Sequence, residues 1–413
     1  MWHHKTQLLN IQANILNAPD MIGHVLLQNQ GNYVRPKLTR QILKPIIGNG
    51  LLSAEGEDWR KQRKIVAPTF APHAVAGMAH LMAQSVAEDM AHWPDTPARL
   101  DMAKVATRTT MTIIADSLFS GEARLKSAAA GHHIDTVISA AGQPRFLRMI
   151  GLEHLDPSPG VARMRQSRRW LRTTVADIVR ERGPDGGDCG NRDDFFGGLM
   201  RALHVDMPTD EANERAVDNA ITFYAAGHET TATALSWAIY LLAAQPRLQD
   251  QVRDEAQAAL ATGDMADLAD RMPLLRAVVD ETLRLYPSAL QIIREAIADD
   301  DVCGVPVRAG ELTFVYPWIV HRHRLLWDNP DAFDVTRWTP ESKAAMHRFQ
   351  YVPFGVGPRI CVGARFAITE ALIILAHWVA KRRFVLPDGF EPMPYGAVTL
   401  RPKHGMPLDV IPF

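Results

Sequence analysis

Apolar residues recur at three- and four-residue spacing through most of the middle of the chain, in segments rich in Ala, Leu, Met and Arg. That spacing is the pattern of helices that bury one face. It predicts helices over residues 74–93, 102–119, 132–141 and 160–182, and a shorter one over 195–203. The longest apolar-periodic run covers 211–244, roughly 50 Å at 1.5 Å per residue. Thr209 and Asp210 offer capping chemistry at its start, and Gln245-Pro246 closes it. Helices over 247–260 and 274–285 follow, the second stopped by Pro287. Strand-like material is short: 7–15, then 292–315 with turn pairs at Cys303-Gly304 and Ala309-Gly310, and the Pro-, Gly- and β-branched-rich part from Phe384 onward. The run 182–191, RGPDGGDCGN, reads as a surface loop between two helices. The expected fold is mainly α with a small β portion drawn from both chain ends, about 5–20, 290–320 and 384–413, in a single domain over 1–413.

Composition narrows the class. The 413 residues are 47% hydrophobic and 22% charged, which excludes a disordered chain and provides for a large core. A net charge of −1 supplies no overall attraction to nucleic acid. Cys189, Cys303 and Cys361 make no disulfide framework, and the odd number leaves a free or ligating thiol, so a reducing, cytoplasmic setting is expected. The opening MWHHKTQLLN is polar. The stretch 232–244 is broken by Thr233, Ser236 and Tyr240 and is too short to span a bilayer, so no transmembrane segment is expected.

Chemistry concentrates near the C-terminus, in Phe354-Gly355-Val356-Gly357-Pro358-Arg359-Ile360-Cys361-Val362-Gly363. Gly355, Gly357 and Gly363 allow tight turns and close backbone approach, and Pro358 stiffens the loop. Cys361 sits just before a helical run, where free N–H groups and the helix dipole favour a thiolate. Arg359 adds positive charge two residues away, and Phe354 offers a flat apolar lid. A lone cysteine makes no structural zinc site, whereas a single thiolate is the axial ligand of an electron-pushing haem, with the arginine on a propionate. A free cysteine is most often only a small buried hydrophobe, but the fixed offsets of Phe, Gly and Arg tell against that reading.

These residues fill F-x-x-G-x-R-x-C-x-G through Phe354, Gly357, Arg359, Cys361 and Gly363, which resembles the haem-binding signature of cytochrome P-450. Ala367 fits the small residue of the following helix. In the long helix, Ala226-Gly227-His228-Glu229-Thr230-Thr231 places a glycine, an acid and two threonines against local propensity. Thr230 can bond back to the Ala226 carbonyl and loosen the turn, while Gly227 leaves room for a ligand. The bland alternative is helix packing beside a solvated Glu. The segment resembles the family's oxygen-binding motif, A/G-G-x-D/E-T-T/S. The resemblance implies that Thr230 steadies bound oxygen, that Glu229 relays protons, and that Ala226 and Gly227 lie beside the cofactor. His228 is read as a helix-surface or pocket residue rather than an iron ligand.

Glu281 and Arg284, three apart on one helix, are by spacing alone a surface ion pair. They resemble the family's E-x-x-R motif, which implies a buried structural pair completed by a second arginine, here Arg337. Around it Val335, Thr336 and Trp338 stand where Pro, Glu and Phe are usual. Trp59 and Arg63 resemble W-x-x-x-R, which implies that both approach a haem propionate. Arg294 is implied as another propionate ligand. His321 lies where members carry a His-Arg pair, with a capped or surface histidine as the alternative. The five motifs run in the family's order from about Tyr33 to the C-terminus. About thirty residues precede them, fewer than is usual, so the first sheet and part of the channel wall are expected to be incomplete.

The resemblance implies a haem-thiolate monooxygenase carrying haem b (iron protoporphyrin IX). It would insert one atom of O2 into a hydrophobic small molecule of fatty-acid, terpenoid or steroid type. Electrons would come from a separate ferredoxin or flavodoxin with its reductase, NAD(P)H acting only through them, and Arg60, Lys61 and Lys64 would form a basic docking face. Leu51 and Leu52 in the loop 43–52, with Phe223, Leu290, Ile292 and Val398, are expected to wall the pocket. A haem-thiolate isomerase or peroxygenase, and a non-catalytic haem sensor, are the other classes.

Overall fold

A helix of 35 residues, Thr209–Ala243, carries most of the architecture. In the computed structural model, which describes residues 2–8, 11–142, 156–183, 194–265, 267–396 and 398–413, it packs against helices Met102–Phe119, Pro159–Arg182, Phe195–Asp206, Pro273–Leu285 and Ala364–Lys381. From Ala216 onward most of its residues are buried, polar ones included, as suits a helix surrounded by other helices. Its start differs from the expected cap. Pro208 occupies the N-cap position with no side-chain hydrogen bond, Thr209 is already helical, and Asp210 and Glu211 place negative charge in the first turn.

Proline also explains why several helices begin earlier than the apolar period suggested. Pro72, Pro159, Pro246 and Pro273 each stand as the first helical residue, where a missing N–H costs nothing. The helix expected from 132 starts at Ala128, because the Ser127 side chain accepts from the Ala130 N–H at 3.2 Å. Most of the loop at 182–191, with Cys189, lies outside the described residues.

The first sheet has five strands in the order His3–Leu8, Ile11–Leu16, Leu312–Val315, Ile292–Ala296, Tyr33–Val34. Ile11–Leu16 pairs parallel with Leu312–Val315, with Ala13 opposite Leu312 and Ile15 opposite Phe314. The N-terminal hairpin therefore forms the outer edge of the sheet, which is five strands wide despite the short lead. A second sheet joins Ala98–Asp101, Pro407–Pro412 and Arg382–Val385. Its first strand was not expected: ARLD is too short to show alternation. Among the described residues no single helix is long and apolar enough to cross a membrane.

Candidate active site

The cysteine loop is held by its own backbone. The Cys361 N–H donates to the Phe354 carbonyl at 2.9 Å, Ile360 N–H to Gly357 and Gly355 N–H to Val352. Gly357, at φ +76°, is irreplaceable on space as well, since a Cβ there would lie 1.9 Å from the Leu26 carbonyl oxygen. Gly363 proves different from expectation. Its φ is −88° and a Cβ would rest in ordinary contact with Phe70, so neither turn nor close approach demands a glycine there. Its N–H instead bonds the Cys361 sulfur, at the start of helix Ala364–Lys381, the Cys helix hereafter.

Burial pushes the Cys361 thiol up, against the downward pull of the Gly363 N–H and the Arg63 charge. The helix start alone therefore does not make the thiolate that the sequence suggested. The side chain is deep in the protein and still accessible, so it lines an internal gap.

Beneath the loop lies a buried polar scaffold. Glu281 and Arg284 are fully buried and pair through two bonds of 2.8 Å. Arg284 also donates to the carbonyls of His321, Pro330 and Ala332. Glu281 accepts the Asp334 N–H and the Trp338 indole N–H, each at 2.9 Å, and Arg337 stands 3.4 Å away. The departure at Trp338 thus has a function that a phenylalanine could not perform. His321 is neither a surface histidine nor a cofactor contact. It is fully buried, its Nε2 accepts the Val352 N–H at 2.9 Å, and burial with the Arg284 charge lowers its pKa to about 3. Because Val352 in turn holds Gly355, the ion pair reaches the loop through His321.

Helix Gly56–Val66 grips the loop from outside. Arg63 donates to the Ile360 carbonyl at 2.9 Å, and the Arg359 guanidinium lies 4.4 Å from the Trp59 ring centre. Arg359 bonds Glu55 at 2.6 Å. Arg35 and Arg294 are buried in the same cluster, their pKa values lowered to about 9 and about 10 by burial and by Arg359. Glu55 is the carboxylate these three guanidiniums share. One acid against three buried cations leaves a strong surplus of positive charge, the environment that the two carboxylates of haem b require. Arg35 and Glu55 escaped the sequence reading because neither belongs to a local pattern; strand Tyr33–Val34 and the turn before the Trp59 helix bring them together.

On the long helix, the Thr230 hydroxyl donates back to the Ala226 carbonyl at 2.8 Å, as its position suggested. Ala226 is exposed, and Ala225, Gly227 and Thr230 are half-buried, in a helix that is closed on both sides of this turn. Gly227 does not make this opening. A Cβ there would lie 2.6 Å from the Ile114 side chain, so the glycine admits helix Met102–Phe119. Glu229 is buried, and accepts the Thr399 hydroxyl at 2.7 Å with Arg401 at 3.6 Å. Ser288 donates to the Thr230 carbonyl, and Ala289 bridges to Thr399, which brings half-buried Leu290 and exposed Val398 beside this turn. Ile292 lies over Gly355 of the cysteine loop.

Of the other expected wall residues, Phe223 joins an aromatic cluster, its ring centre 5.7 Å from Phe70 and 5.0 Å from Phe195. Leu51 is buried and tied through its N–H to Asn219, while Leu52 is 38% exposed.

Comparison with known proteins agrees with this geometry. The cytochrome P450 family model matches residues 5–407. The chain is 29% identical to 11-oxo-beta-amyrin 30-oxidase of Glycyrrhiza uralensis, over 95% of this chain and 77% of that protein. It is 28% identical to cyclooctat-9-en-7-ol 5-monooxygenase of Streptomyces melanosporofaciens, over 84% and 78%. The fold matches the cytochrome P450DA heme domain with a TM-score of 0.83 at 23% identity, covering 100% of this chain and 90% of that one. It also matches a six-coordinated cytochrome P450 from Thermus thermophilus, with a TM-score of 0.74 at 24% identity and coverage of 97% and 93%. A family match over nearly the whole length, on a chain whose loop cysteine, arginine cluster and buried Glu–Arg scaffold fit a haem, places this protein in the cytochrome P450 family.

Proposed function

We propose that the chain is a haem-thiolate monooxygenase acting on a hydrophobic small molecule of fatty-acid, terpenoid or steroid type. One observation carries the reading: an accessible cysteine in a loop locked from below, beside three buried arginines that share one acid. When bound, haem b supplies activation of O2 and transfer of one oxygen atom. Cys361 would provide the thiolate that holds the iron, and Arg35, Arg294 and Arg359 the partners of the porphyrin carboxylates. Thr230 and Glu229, adjacent on the opened turn, hold a hydroxyl proton and a carboxyl where protons are consumed. Leu290, Ile292 and Val398 give that turn an apolar flank and exclude water.

The names of the two relatives print 11-oxo-beta-amyrin and cyclooctat-9-en-7-ol as their substrates, which supports an apolar substrate here. Electrons would arrive from a ferredoxin or flavodoxin. Lys61 and Lys64 are exposed on the Trp59 helix and suit an acidic partner, whereas Arg60 is already paired with Glu57. The retained Glu229–Thr230 pair favours oxygen insertion over peroxide isomerisation, which needs no external protons.

The test is optical. The reduced protein with carbon monoxide is expected to show the strongly red-shifted Soret band of thiolate ligation. Cys361→Ala is expected to abolish it while far-UV circular dichroism is kept. A nitrogen-ligated spectrum in the unmutated protein would refute the reading. Ligands that shift the ferric spin state then sort the substrate classes.

A further inference from the structure

Glu229 does not stand alone behind Thr230. One carboxylate oxygen each from Asp135 and Glu229, and one ring nitrogen of His228, lie within 4.8 Å of one another. Asp135 comes from helix Ala128–Ala141 and is exposed, whereas His228 is fully buried and Glu229 nearly so. The group therefore runs from an accessible carboxylate to the turn that carries Thr230.

The tautomer of His228 follows from its neighbours. Nδ1 lies 2.6 Å from the Tyr224 carbonyl oxygen, which can only accept, so Nδ1 carries the proton. Nε2 is then a bare lone pair, and it has no hydrogen-bond partner. A buried lone pair close to two carboxylates is unfavourable unless a positive species is shared among them. Burial pushes the Asp135 carboxyl up, and the Glu229 charge adds to it, against His228, Arg401 and His132. The facing groups are thus Asp135 and His132 from one helix, Tyr224, His228 and Glu229 from the long helix, and Arg401 from the C-terminal segment. Arg401, 3.6 Å from Glu229, already supplies fixed positive charge and makes a divalent cation the less favourable occupant.

We propose that Asp135 and His228 are positioning residues of a proton supply line that recharges Glu229 from solvent. The proton on the Asp135 carboxyl passes to His228 Nε2, giving an imidazolium and a carboxylate. The imidazolium returns to neutral by protonating Glu229, and water reprotonates Asp135. No electron moves, and each step transfers one proton. The proposal rests on the monooxygenase reading and names how its acid is fed.

The experiment uses the haem-loaded protein with its electron donors and compares Asp135→Asn, Asp135→Glu and His228→Gln. Asp135→Asn and His228→Gln are expected to raise the solvent deuterium isotope effect on substrate oxidation at least twofold. They should also divert electrons to peroxide and move the acid limb of the pH profile. Asp135→Glu is expected to restore most of the coupling. A second readout needs no turnover. In histidine-labelled protein, with the His228 signal assigned by its loss in His228→Gln, the ring nitrogen shifts should report the Nδ1–H tautomer, and Asp135→Asn should change the Nε2 shift.

Unchanged coupling and an unchanged His228 Nε2 shift in Asp135→Asn would overturn the proposal. So would stoichiometric Zn2+ binding that Asp135→Asn removes, because the cluster would then be a metal site. Either result leaves the carbon monoxide spectrum of the unmutated protein intact, which separates this failure from failure of the monooxygenase reading.

Discussion

Glu281 and Glu370 are both sealed completely from solvent, one below the cysteine loop and the other on the Cys helix against the long helix. Glu281 meets two nitrogens of Arg284, a peptide N–H, an indole N–H and, farther off, Arg337. The Glu370 carboxyl meets only the Thr231 hydroxyl, and not in hydrogen-bonding geometry. Burial accordingly pushes it up to about 8. The same side chain at the same depth is thus a charged structural post in one place and a neutral acid in the other. What separates them is the number of donors the surrounding chain supplies, because a dry interior tolerates a carboxylate only when its lone pairs are met.

The sharpest way to break the comparison is Arg284→Ala. It strands the Glu281 charge and leaves three carbonyls without their donor. Removing one partner of a buried pair costs about 3–5 kcal/mol, a large part of the ~5–15 kcal/mol that holds a domain folded. The variant is expected to lose haem binding and to unfold at a markedly lower temperature, read by haem stoichiometry and thermal unfolding. Glu370→Gln should keep haem binding and unfold at no lower temperature than the unmutated protein, since near neutral pH it removes the cost of holding a buried carboxyl protonated. Equal losses in the two variants would erase the distinction.

The sequence could show one of these glutamates and not the other. Glu281 sits three residues before an arginine in a helix with its own signature, so both the pair and its fate were legible. Glu370 interrupts an apolar run much as any solvent-facing residue would, and only the crossing of two helices buries it. Arg35 was hidden for the same reason, since its cluster with Arg294 and Arg359 joins segments far apart in the chain. The order of helices and the haem signature could be read because both depend on residues a few positions apart. Gly227 was misplaced because the face that a helical residue presents depends on neighbours that periodicity does not name.

Acid and alkali should act on the two regions separately. Glu370 has a folded-state pKa of about 8, above the ordinary 4.5. Its contribution is present below the ordinary value and is lost as pH rises toward 8, because the unfolded chain releases a proton that the folded one keeps. His321 has the opposite sign. Its folded value of about 3 lies below the ordinary 6.5, so stability is retained above 6.5 and falls as pH drops toward 3. Urea midpoints measured from pH 4 to pH 9 are expected to fall at both ends. Glu370→Gln should flatten the alkaline limb alone and His321→Gln the acid limb alone. A limb unchanged by its own substitution would place the titrating group elsewhere.

The smallest expected effect probes how the well-supplied glutamate is supplied. Trp338→Phe removes the 2.9 Å indole bond to Glu281 and keeps a ring against Tyr351, whose centre lies 4.5 Å away. A hydrogen bond to a charged group is worth about 1.5–3 kcal/mol. Arg337 waits at 3.4 Å from the other oxygen of the same carboxylate, outside hydrogen-bonding geometry, and can tighten its ion pair when the indole is gone. The net cost is therefore expected at about 1 kcal/mol, below the range for that class. The two substitutions should then cooperate: Trp338→Phe combined with Arg337→Ala is expected to cost more than the sum of the singles in a urea-unfolding double-mutant cycle. Simple additivity would mean that Arg337 supports the Asn329 carbonyl, to which it also donates at 3.0 Å, and leaves Glu281 to Arg284 and Trp338.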